Sequence, residues 1–187
     1  MCRQKVMLDL FSGSGSASQP FMDKGWRVYR YDLEPQGADG IFIDLSEEMF
    51  IINLIDAWKE KKVDLIWASP PCTEYSDAHP RRNLKSFIPN TTLWRNTIRI
   101  IEEINPTHFV IENVRGAVRT WGKPVQRCGP YYLWGIFPKF NIPNKIAPKH
   151  LHKYTTHEAQ ARESAKIPYT IGKHLERAIS LQEVING

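Results

Sequence analysis

The strongest structural signal in this chain is Lys5-Val6-Met7-Leu8-Asp9-Leu10-Phe11-Ser12-Gly13-Ser14-Gly15. Its apolar first half predicts a buried strand over residues 5–10. Its Gly/Ser second half predicts a turn that opens a helix near Ser16, running to about Lys24. Gly-rich turns between a strand and a helix let the backbone approach a bound nucleotide closely. The stretch therefore predicts a nucleotide-binding turn at the first strand of a sheet.

Further apolar runs of strand length alternate with helical stretches along the rest of the chain. The pattern predicts strands at 26–31, 41–43, 63–68 and 108–111. It predicts helices at 46–61, with Ser46 as the N-cap, at 92–104, closed by Asn105-Pro106, and at 169–184. Between 116 and 150 the only strand-like piece is 131–134. This alternation predicts a Rossmann-like α/β fold with a mostly parallel, doubly wound sheet.

Acidic residues follow two of the predicted strands. Asp32 ends the second strand, where a carboxylate accepts hydrogen bonds from ribose hydroxyls in other nucleotide-binding sheets. Asp44 ends the third strand, where it is placed to meet an adenine amino group. A glycine turn chosen only for its tightness is the alternative interpretation of the first motif.

A thiol and a second carboxyl follow two later strands. Cys72 comes after Pro70-Pro71, and the two prolines restrict the backbone and hold the next residue in place. A thiol fixed at a strand end suits a nucleophile, which is active as its thiolate. Glu112 ends a buried strand, so we expect its pKa to be raised enough for it to donate to a ring nitrogen. A structural cysteine and a helix-capping acid are the alternatives.

Bulk composition limits the class of protein. With 187 residues, 42% hydrophobic and 24% charged, the chain is expected to be a single globular domain over 1–187. No apolar run reaches membrane-spanning length, and no signal-peptide pattern is present, so a cytoplasmic protein without a membrane partner is expected. Three cysteines without paired spacing indicate reduced thiols. No Cys or acid completes a site with His150, His152 and His157, so no metal is expected.

The net charge of +5 is unevenly distributed. Residues 113–157 contain no Asp or Glu and eight basic residues, whereas the rest carries 17 Lys/Arg against 20 Asp/Glu, a formal −3. A basic segment on a mildly acidic body indicates a polyanionic substrate. A solvated loop of chance composition is the alternative. The eight basic residues are Arg115, Arg119, Lys123, Arg127, Lys139, Lys145, Lys149 and Lys153.

In combination these motifs resemble the cytosine-C5 DNA methyltransferases. The matches are the Asp-Leu-Phe-Ser-Gly-x-Gly turn, Pro-Cys with Ser76 four residues on, Glu112-Asn113-Val114, and 165–169 leading into the last helix. They cover most of the chain in the family's order. The chain is most similar to short, phage-type members, in which Ser-Pro-Pro-Cys-Thr-Glu-Tyr-Ser replaces the commoner Pro-Cys-Gln. This resemblance implies the S-adenosylmethionine-dependent methyltransferase fold.

The resemblance also implies a mechanism and a set of site residues. Cys72 would attack carbon 6 of a flipped-out cytosine while Glu112 stabilises the charge through ring nitrogen 3, and methyl transfer to carbon 5 would follow. The last helix would complete the cofactor pocket. The residues implied for S-adenosyl-L-methionine are Phe11, Gly13, Gly15, Asp32, Leu33, Asp44, Leu45 and Pro70. Those expected to contact DNA are Pro71, Ser76, Asn113, Val114, Arg81, Arg82, Lys145, Lys149 and Lys153.

Departures from the family pattern leave alternatives open. Instead of the family's Gln-x-Arg-x-Arg strand the chain has Gln126-Arg127, so Arg127 is the substitute catalytic arginine. The basic segment 113–157 stands in place of a large target-recognition domain. Duplex DNA is the favoured partner, and a homodimer stays open. Three other interpretations remain: C5 methylation of RNA or single strands, methylation of cytosine N4, and a degenerate, non-catalytic nucleic-acid-binding fold.

Overall fold

The sheet is built around the apolar runs that the sequence marks as strands. The computed structural model describes residues 3–76, 84, 86–143, 146 and 166–186. The strands of this part are β1 (Val6–Leu10), β2 (Arg27–Asp32), β3 (Gly40–Phe42), β4 (Leu65–Ala68), β5 (His108–Asn113), β6 (Gln126–Cys128) and β7 (Tyr131–Ile136). They form one sheet in the order β3-β2-β1-β4-β5-β7-β6.

The first five strands run parallel, and the last two close the sheet with an antiparallel hairpin. β1 lies between β2 and β4, and β5 pairs with β4 so that Ala68 lies opposite Ile111. β7 runs antiparallel between β5 and β6. The carboxyl ends of β1, β2, β4 and β5 therefore meet at one edge, where open α/β sheets bind their ligands.

Helices cover both faces of the sheet. They are α1 (Gln19–Met22), α2 (Glu48–Trp58), α3 (Thr92–Ile104), α4 (Val118–Trp121) and α5 (Tyr169–Asn186), with a 3₁₀ turn at Arg115–Ala117. β1 alternates its side chains between the two faces, as a buried strand must. Leu8 packs with the α2 and α3 side chains, while Met7 packs with those of α1 and α5. The predicted mostly parallel, doubly wound α/β fold is confirmed.

Three local predictions are wrong. The first helix spans only Gln19–Met22, because residues 11–18 are taken up by the turn. Ser46 is not an N-cap: α2 begins at Glu48, and the Ser46 N–H and Oγ donate instead to Asp44 Oδ1, at 2.9 and 2.6 Å. β6 lacks apolar alternation and exists because it pairs with β7. Two strands of the central sheet, at residues 126–128 and 131–136, thus lie within the basic segment 113–157.

Candidate active site

The turn after β1 has the backbone conformation that its glycines permit. Gly13 and Gly15 have φ of +50° and +70°, and Phe11 also lies in the left-handed region with φ of +59°. A non-glycine residue rarely adopts this conformation, and such strain concentrates at binding sites. The Gly13 N–H donates to Asp32 Oδ2 at 2.8 Å, which ties the turn to the end of β2.

A cavity of about 170 Å³ opens at this turn. At its base lies Asp9, which is 1% exposed and whose Oδ2 accepts no hydrogen bond in the described part of the structure. Burial raises the pKa of Asp9 from 3.8 to about 7, against the lowering effects of Ser18 and Arg30. The lining residues are Asp9, Phe11, Ser12, Gly13, Ser14, Ser16, Ala17, Gln36, Ser69, Lys166 and Ile167.

The segment before α5 forms one wall of the same cavity. The Ile167 N–H donates to Ser16 Oγ at 3.0 Å, and the Tyr131 hydroxyl donates to the Lys166 carbonyl at 3.2 Å. α5 then packs closely on α1, where a Cβ on Gly172 would lie 2.5 Å from the Ala17 carbonyl oxygen. These contacts attach the C-terminal helix to the turn after β1.

Asp32, Leu33, Asp44 and Leu45, which were also predicted to bind the cofactor, are not among the residues that line this cavity. The Asp32 carboxylate accepts two backbone N–H groups, from Gly13 and from Glu34, each at 2.8 Å. Asp44 Oδ1 binds Ser46, which holds the pKa of Asp44 below its usual value. Leu33 is 55% exposed at the end of β2, whereas Leu45 is buried in the core beside α2.

A second cavity, of about 290 Å³, lies beside the loop that carries Cys72. Pro70 and Pro71 line it together with Ser46, the residue that binds Asp44. The segment that follows β3 and the Cys72 loop therefore line the same cavity. The remaining lining residues are Thr73, Glu74, Tyr75, Asn90, Thr92, Leu93 and Trp94.

Cys72 is exposed, and its loop is held by the turn that follows it. Its carbonyl accepts the N–H groups of Tyr75 and Ser76, at 2.9 and 2.8 Å. Tyr75 is 3% exposed and packs edge-on against Trp121, whose ring stacks on Trp94 with centroids 4.0 Å apart. This aromatic packing fixes the loop to α3 and α4.

Glu112 and Asn113 end β5 directly beside the Cys72 loop. Both are buried, at 9% and 1% exposure. Asn113 Nδ2 donates to the Pro70 carbonyl at 2.9 Å, and Asn113 Oδ1 accepts the Val114 N–H at 2.9 Å. Glu112 also acts on β7: together with burial, its charge raises the pKa of Tyr131 above the usual value. The Asn113 hydrogen bond therefore fixes the end of β5 to the loop after β4.

Arg127 does not share a sheet face with Glu112, although both were predicted to be catalytic. It pairs with Tyr132, which is opposite Asn113, whereas Glu112 is opposite Leu133. Because residues that pair directly share a sheet face and neighbours alternate, Arg127 lies on the other face from Glu112. Its Nε donates to the Gly129 carbonyl at 2.8 Å, and its guanidinium lies over the Tyr132 ring.

Five residues predicted to contact DNA lie outside the described part of the structure, namely Arg81, Arg82, Lys145, Lys149 and Lys153. The three histidines considered for a metal site, His150, His152 and His157, also lie outside it. Within the described part, no three His, Cys, Asp or Glu side chains are grouped to hold a metal ion. The same residues include no helix long and apolar enough to cross a membrane.

The structure adds two residues for which the sequence pattern indicates no role. Asp9 belongs to the quoted turn motif, but its burial beneath the cavity depends on which face of β1 it occupies. Arg30 lies two residues before Asp32, and its side chain extends under the turn to the Gly15 carbonyl. For Arg30, the sequence signal was an arginine between two tyrosines in a predicted strand.

A Rossmann-like sheet with a glycine turn after β1, and with a thiol and a carboxyl after two adjoining strands, is the architecture of S-adenosylmethionine-dependent methyltransferases. The sequence pattern of the C-5 cytosine-specific DNA methylases matches residues 6–125, well over half of the chain, and the chain belongs to this family. The family resemblance noted from the motifs is thus confirmed.

Individual relatives share a minority of residues with this chain. The type II methyltransferase M1.HphI of Haemophilus parahaemolyticus is 28% identical over 123 residues, covering 60% of this chain and 33% of the relative. The type II methyltransferase M.AquIA of Picosynechococcus is 23% identical over 158 residues, covering 71% of this chain and 62% of the relative. The chain therefore spans between a third and two thirds of the length of these relatives.

The solved structures that match this chain also have low sequence identity to it. The S. pombe Dnmt2 methyltransferase is 18% identical, with a TM-score of 0.43, over 62% of this chain and 38% of that chain. A Spodoptera frugiperda DNMT2 mutant is 20% identical, with a TM-score of 0.41, over 62% of this chain and 37% of that chain.

Proposed function

We propose that this chain transfers a methyl group from S-adenosylmethionine to carbon 5 of cytosine in DNA, through a covalent adduct with Cys72. One observation carries the proposal: Cys72 follows the end of β4, Glu112 lies at the end of the adjoining parallel strand β5, and Asn113 bonds to the Pro70 carbonyl between them. A thiol and a carboxyl carried by neighbouring strand ends suit attack on a single ring and stabilisation of the charge that develops on it.

The cavity at the turn after β1 fits the proposed cofactor. The unpartnered Asp9 Oδ2 at its base is an acceptor for the positively charged ammonium of the methionine part. Asp32, on the neighbouring strand end, keeps lone pairs beyond the two N–H groups it accepts, and these can take ribose hydroxyls. Asp44, beside the second cavity, is suited to the adenine amino group. The bound cofactor supplies an electrophilic methyl group.

The protein groups then carry the remaining chemistry. The Cys72 thiolate adds to carbon 6 of cytosine, and Glu112 donates to ring nitrogen 3 as charge develops there. Carbon 5 takes the methyl group and then loses its proton to a base. As this proton leaves, the bond between Cys72 and carbon 6 breaks and the thiolate is restored. The buried position of Glu112 supports this role because hydrogen bonds to a ring are stronger away from water.

Exposed basic side chains support a nucleic-acid substrate. Arg115, Arg119, Lys123, Arg127 and Lys139 are the described cations of the acid-free segment 113–157, and all five are exposed. Exposed Lys and Arg neutralise phosphates regardless of sequence. Because cytosine ring atoms are inaccessible inside a duplex, the base must leave the stack to reach Cys72.

Transfer of a tritiated methyl group from S-adenosylmethionine tests the proposal directly. Duplex DNA, single-stranded DNA and RNA serve as parallel substrates, and mass spectrometry identifies the product base. We expect 5-methylcytosine in duplex DNA. DNA carrying 5-fluorocytosine should also trap the protein covalently in the presence of cofactor, because fluorine cannot leave as a proton does.

The two described cysteines provide a matched pair of variants. Cys72→Ser should abolish both trapping and turnover, whereas Cys128→Ser should retain both, because Cys128 is buried on the edge strand β6. Methylation by the Cys72→Ser variant would overturn the covalent mechanism. A product methylated at N4, or at cytosine in RNA alone, would replace the proposed activity with one of the alternatives.

A further inference from the structure

Arg30 is a buried arginine directly beneath the turn after β1. It is 9% exposed, although the neighbouring arginine on β2, Arg27, is exposed. A buried guanidinium is costly unless its donors are satisfied. Here they are directed at one short stretch of chain: Nε donates to Ser18 Oγ at 3.0 Å, and Nη2 to the Gly15 carbonyl at 3.2 Å and Gln19 Oε1 at 3.0 Å.

Gly15 leaves no room for a side chain of its own beside Arg30. A Cβ added to Gly15 would lie 2.4 Å from both Cζ and Nε of Arg30, far inside contact distance. Gly15 also has φ of +70°, which side chains rarely adopt. The guanidinium therefore occupies the volume that the missing side chain leaves, and it binds the carbonyl of the same residue.

Arg30 also provides a positive charge near Asp9, a carboxyl group of the proposed cofactor site. It lowers the pKa of Asp9, while the charge of Asp32 raises it. The hydrogen bonds of Arg30 nevertheless go to uncharged oxygens on the turn and on α1. Both Gly15 and Ser18 lie close to the lining residues Ser14, Ser16 and Ala17, so the position of the guanidinium sets the position of the cavity wall.

We propose that Arg30 is a positioning residue that holds the turn between β1 and α1 in its cofactor-binding form. It acts through the Gly15 carbonyl and Ser18, without touching the cofactor. The cofactor part of this inference rests on the proposed function, because the turn must bind S-adenosylmethionine for its preorganisation to affect catalysis. A preformed turn avoids the ordering cost that a flexible turn would add on binding.

Three variants test the proposal on the full chain. Arg30→Met keeps the length of the side chain and removes every donor. Arg30→Lys keeps the charge and a single donor group, and Arg27→Met is the control on the same strand. We expect Arg30→Met to weaken S-adenosylmethionine binding at least tenfold by calorimetry and to raise the KM for cofactor. Its kcat at saturating cofactor should stay near that of the wild type, and Arg30→Lys should fall between the two.

Hydrogen exchange of the ligand-free protein separates this inference from the proposed function. Backbone amides of residues 13–18 should exchange at least tenfold faster in Arg30→Met, while those of β1 and β2 stay protected. If the wild-type protein binds no S-adenosylmethionine, the proposed function fails, but this exchange result still decides whether Arg30 holds the turn. Unchanged exchange over 13–18, or acceleration spread evenly over the sheet, would overturn the positioning role.

Two further comparisons complete the test, one for the case in which Arg30→Met does not fold and one for the case in which it does. Arg30→Lys should then fold with faster exchange over 13–18, and wild-type behaviour of that variant would overturn the proposal. Where Arg30→Met folds, Gly15→Ala should weaken cofactor binding more in the wild-type background than in the Arg30→Met background. The new Cβ displaces the guanidinium only where it is present, and equal losses in both backgrounds would contradict the proposed contact.

Discussion

Asn113 Nδ2 donates a hydrogen bond of 2.9 Å to the carbonyl oxygen of Pro70, two residues before Cys72. Asn113 is 1% exposed, and it follows Glu112 on β5. One side chain therefore sets the distance between the strand that carries the carboxyl and the loop that carries the thiol. In the proposed mechanism, both groups must reach the same ring.

Asn113→Ala should slow covalent trapping of 5-fluorocytosine DNA at least tenfold, with cofactor affinity kept. The buried Pro70 carbonyl loses its partner, which typically costs about 1–3 kcal/mol, and the Cys72 loop loses its tie to β5. Single-turnover rates and calorimetry measure the two effects. Gln126→Ala removes a similar amide-to-carbonyl bond, to Phe140 at 2.8 Å, and serves as the stability control. Equal losses in both variants would indicate general destabilisation.

Asp32→Ala and Asp44→Ala should each weaken S-adenosylmethionine binding about tenfold or more, with folding largely kept. A lost hydrogen bond to a charged group is typically worth about 1.5–3 kcal/mol. Asp32→Ala should have the larger effect, because it also releases the Gly13 N–H of the turn. Calorimetry measures both, with the exposed Glu34→Ala as the control. Unchanged affinity in both variants would place the cofactor elsewhere.

Asp9→Asn should remove a decline in stability that the wild-type protein shows as the pH rises. Burial raises the pKa of Asp9 from 3.8 in the unfolded chain to about 7, so the folded protein holds a proton that the unfolded chain releases between these values. Its contribution to the free energy of unfolding is therefore full below pH 3.8 and falls as the pH rises towards 7.

Urea unfolding across this pH range measures the effect. The stability of Asp9→Asn relative to wild type should increase from the acid end to neutral pH, because the amide cannot ionise. Asp39→Asn, which replaces an exposed carboxyl, should give a curve parallel to that of the wild type. A constant difference between Asp9→Asn and wild type would show that Asp9 does not titrate there.

Replacing Lys145, Lys149 and Lys153 together should flatten the salt dependence of DNA binding without changing the preferred sequence context. Lysines neutralise phosphates and release counterions whatever the sequence. Sequence readout needs side chains fixed against base edges, and each good pair of a side chain with a base gives about 1–3 kcal/mol of discrimination against the wrong base. We expect a target of one or two bases beside the cytosine. Bisulfite sequencing of a methylated random library measures it, and a control triple is provided by three exposed lysines that precede β4, Lys59, Lys61 and Lys62. A target of four or more bases would contradict the expectation.

Much of the fold was predictable because it depends on local patterns. The buried strands and the helix at Thr92–Ile104 follow from apolar periodicity and from the Asn105-Pro106 stop, and Asn105 indeed closes this helix in the left-handed conformation. The edge strand β6 was missed, because Gln126-Arg127-Cys128 becomes a strand only by pairing with β7. Arg127 was misplaced for the same reason: its sheet face depends on the register of that pairing.

The family, the order of the motifs and the residue types at the strand ends could all be read from the chain, because they depend on spacing along it. Three contacts required the folded structure: the bond of Asn113 to the Pro70 carbonyl, the burial of Asp9 Oδ2 at a cavity without a hydrogen bond, and the packing of Arg30 beside Gly15. Each of these contacts joins residues from different strands or loops. Their distances are set by strand order and sheet face, which apolar periodicity does not encode.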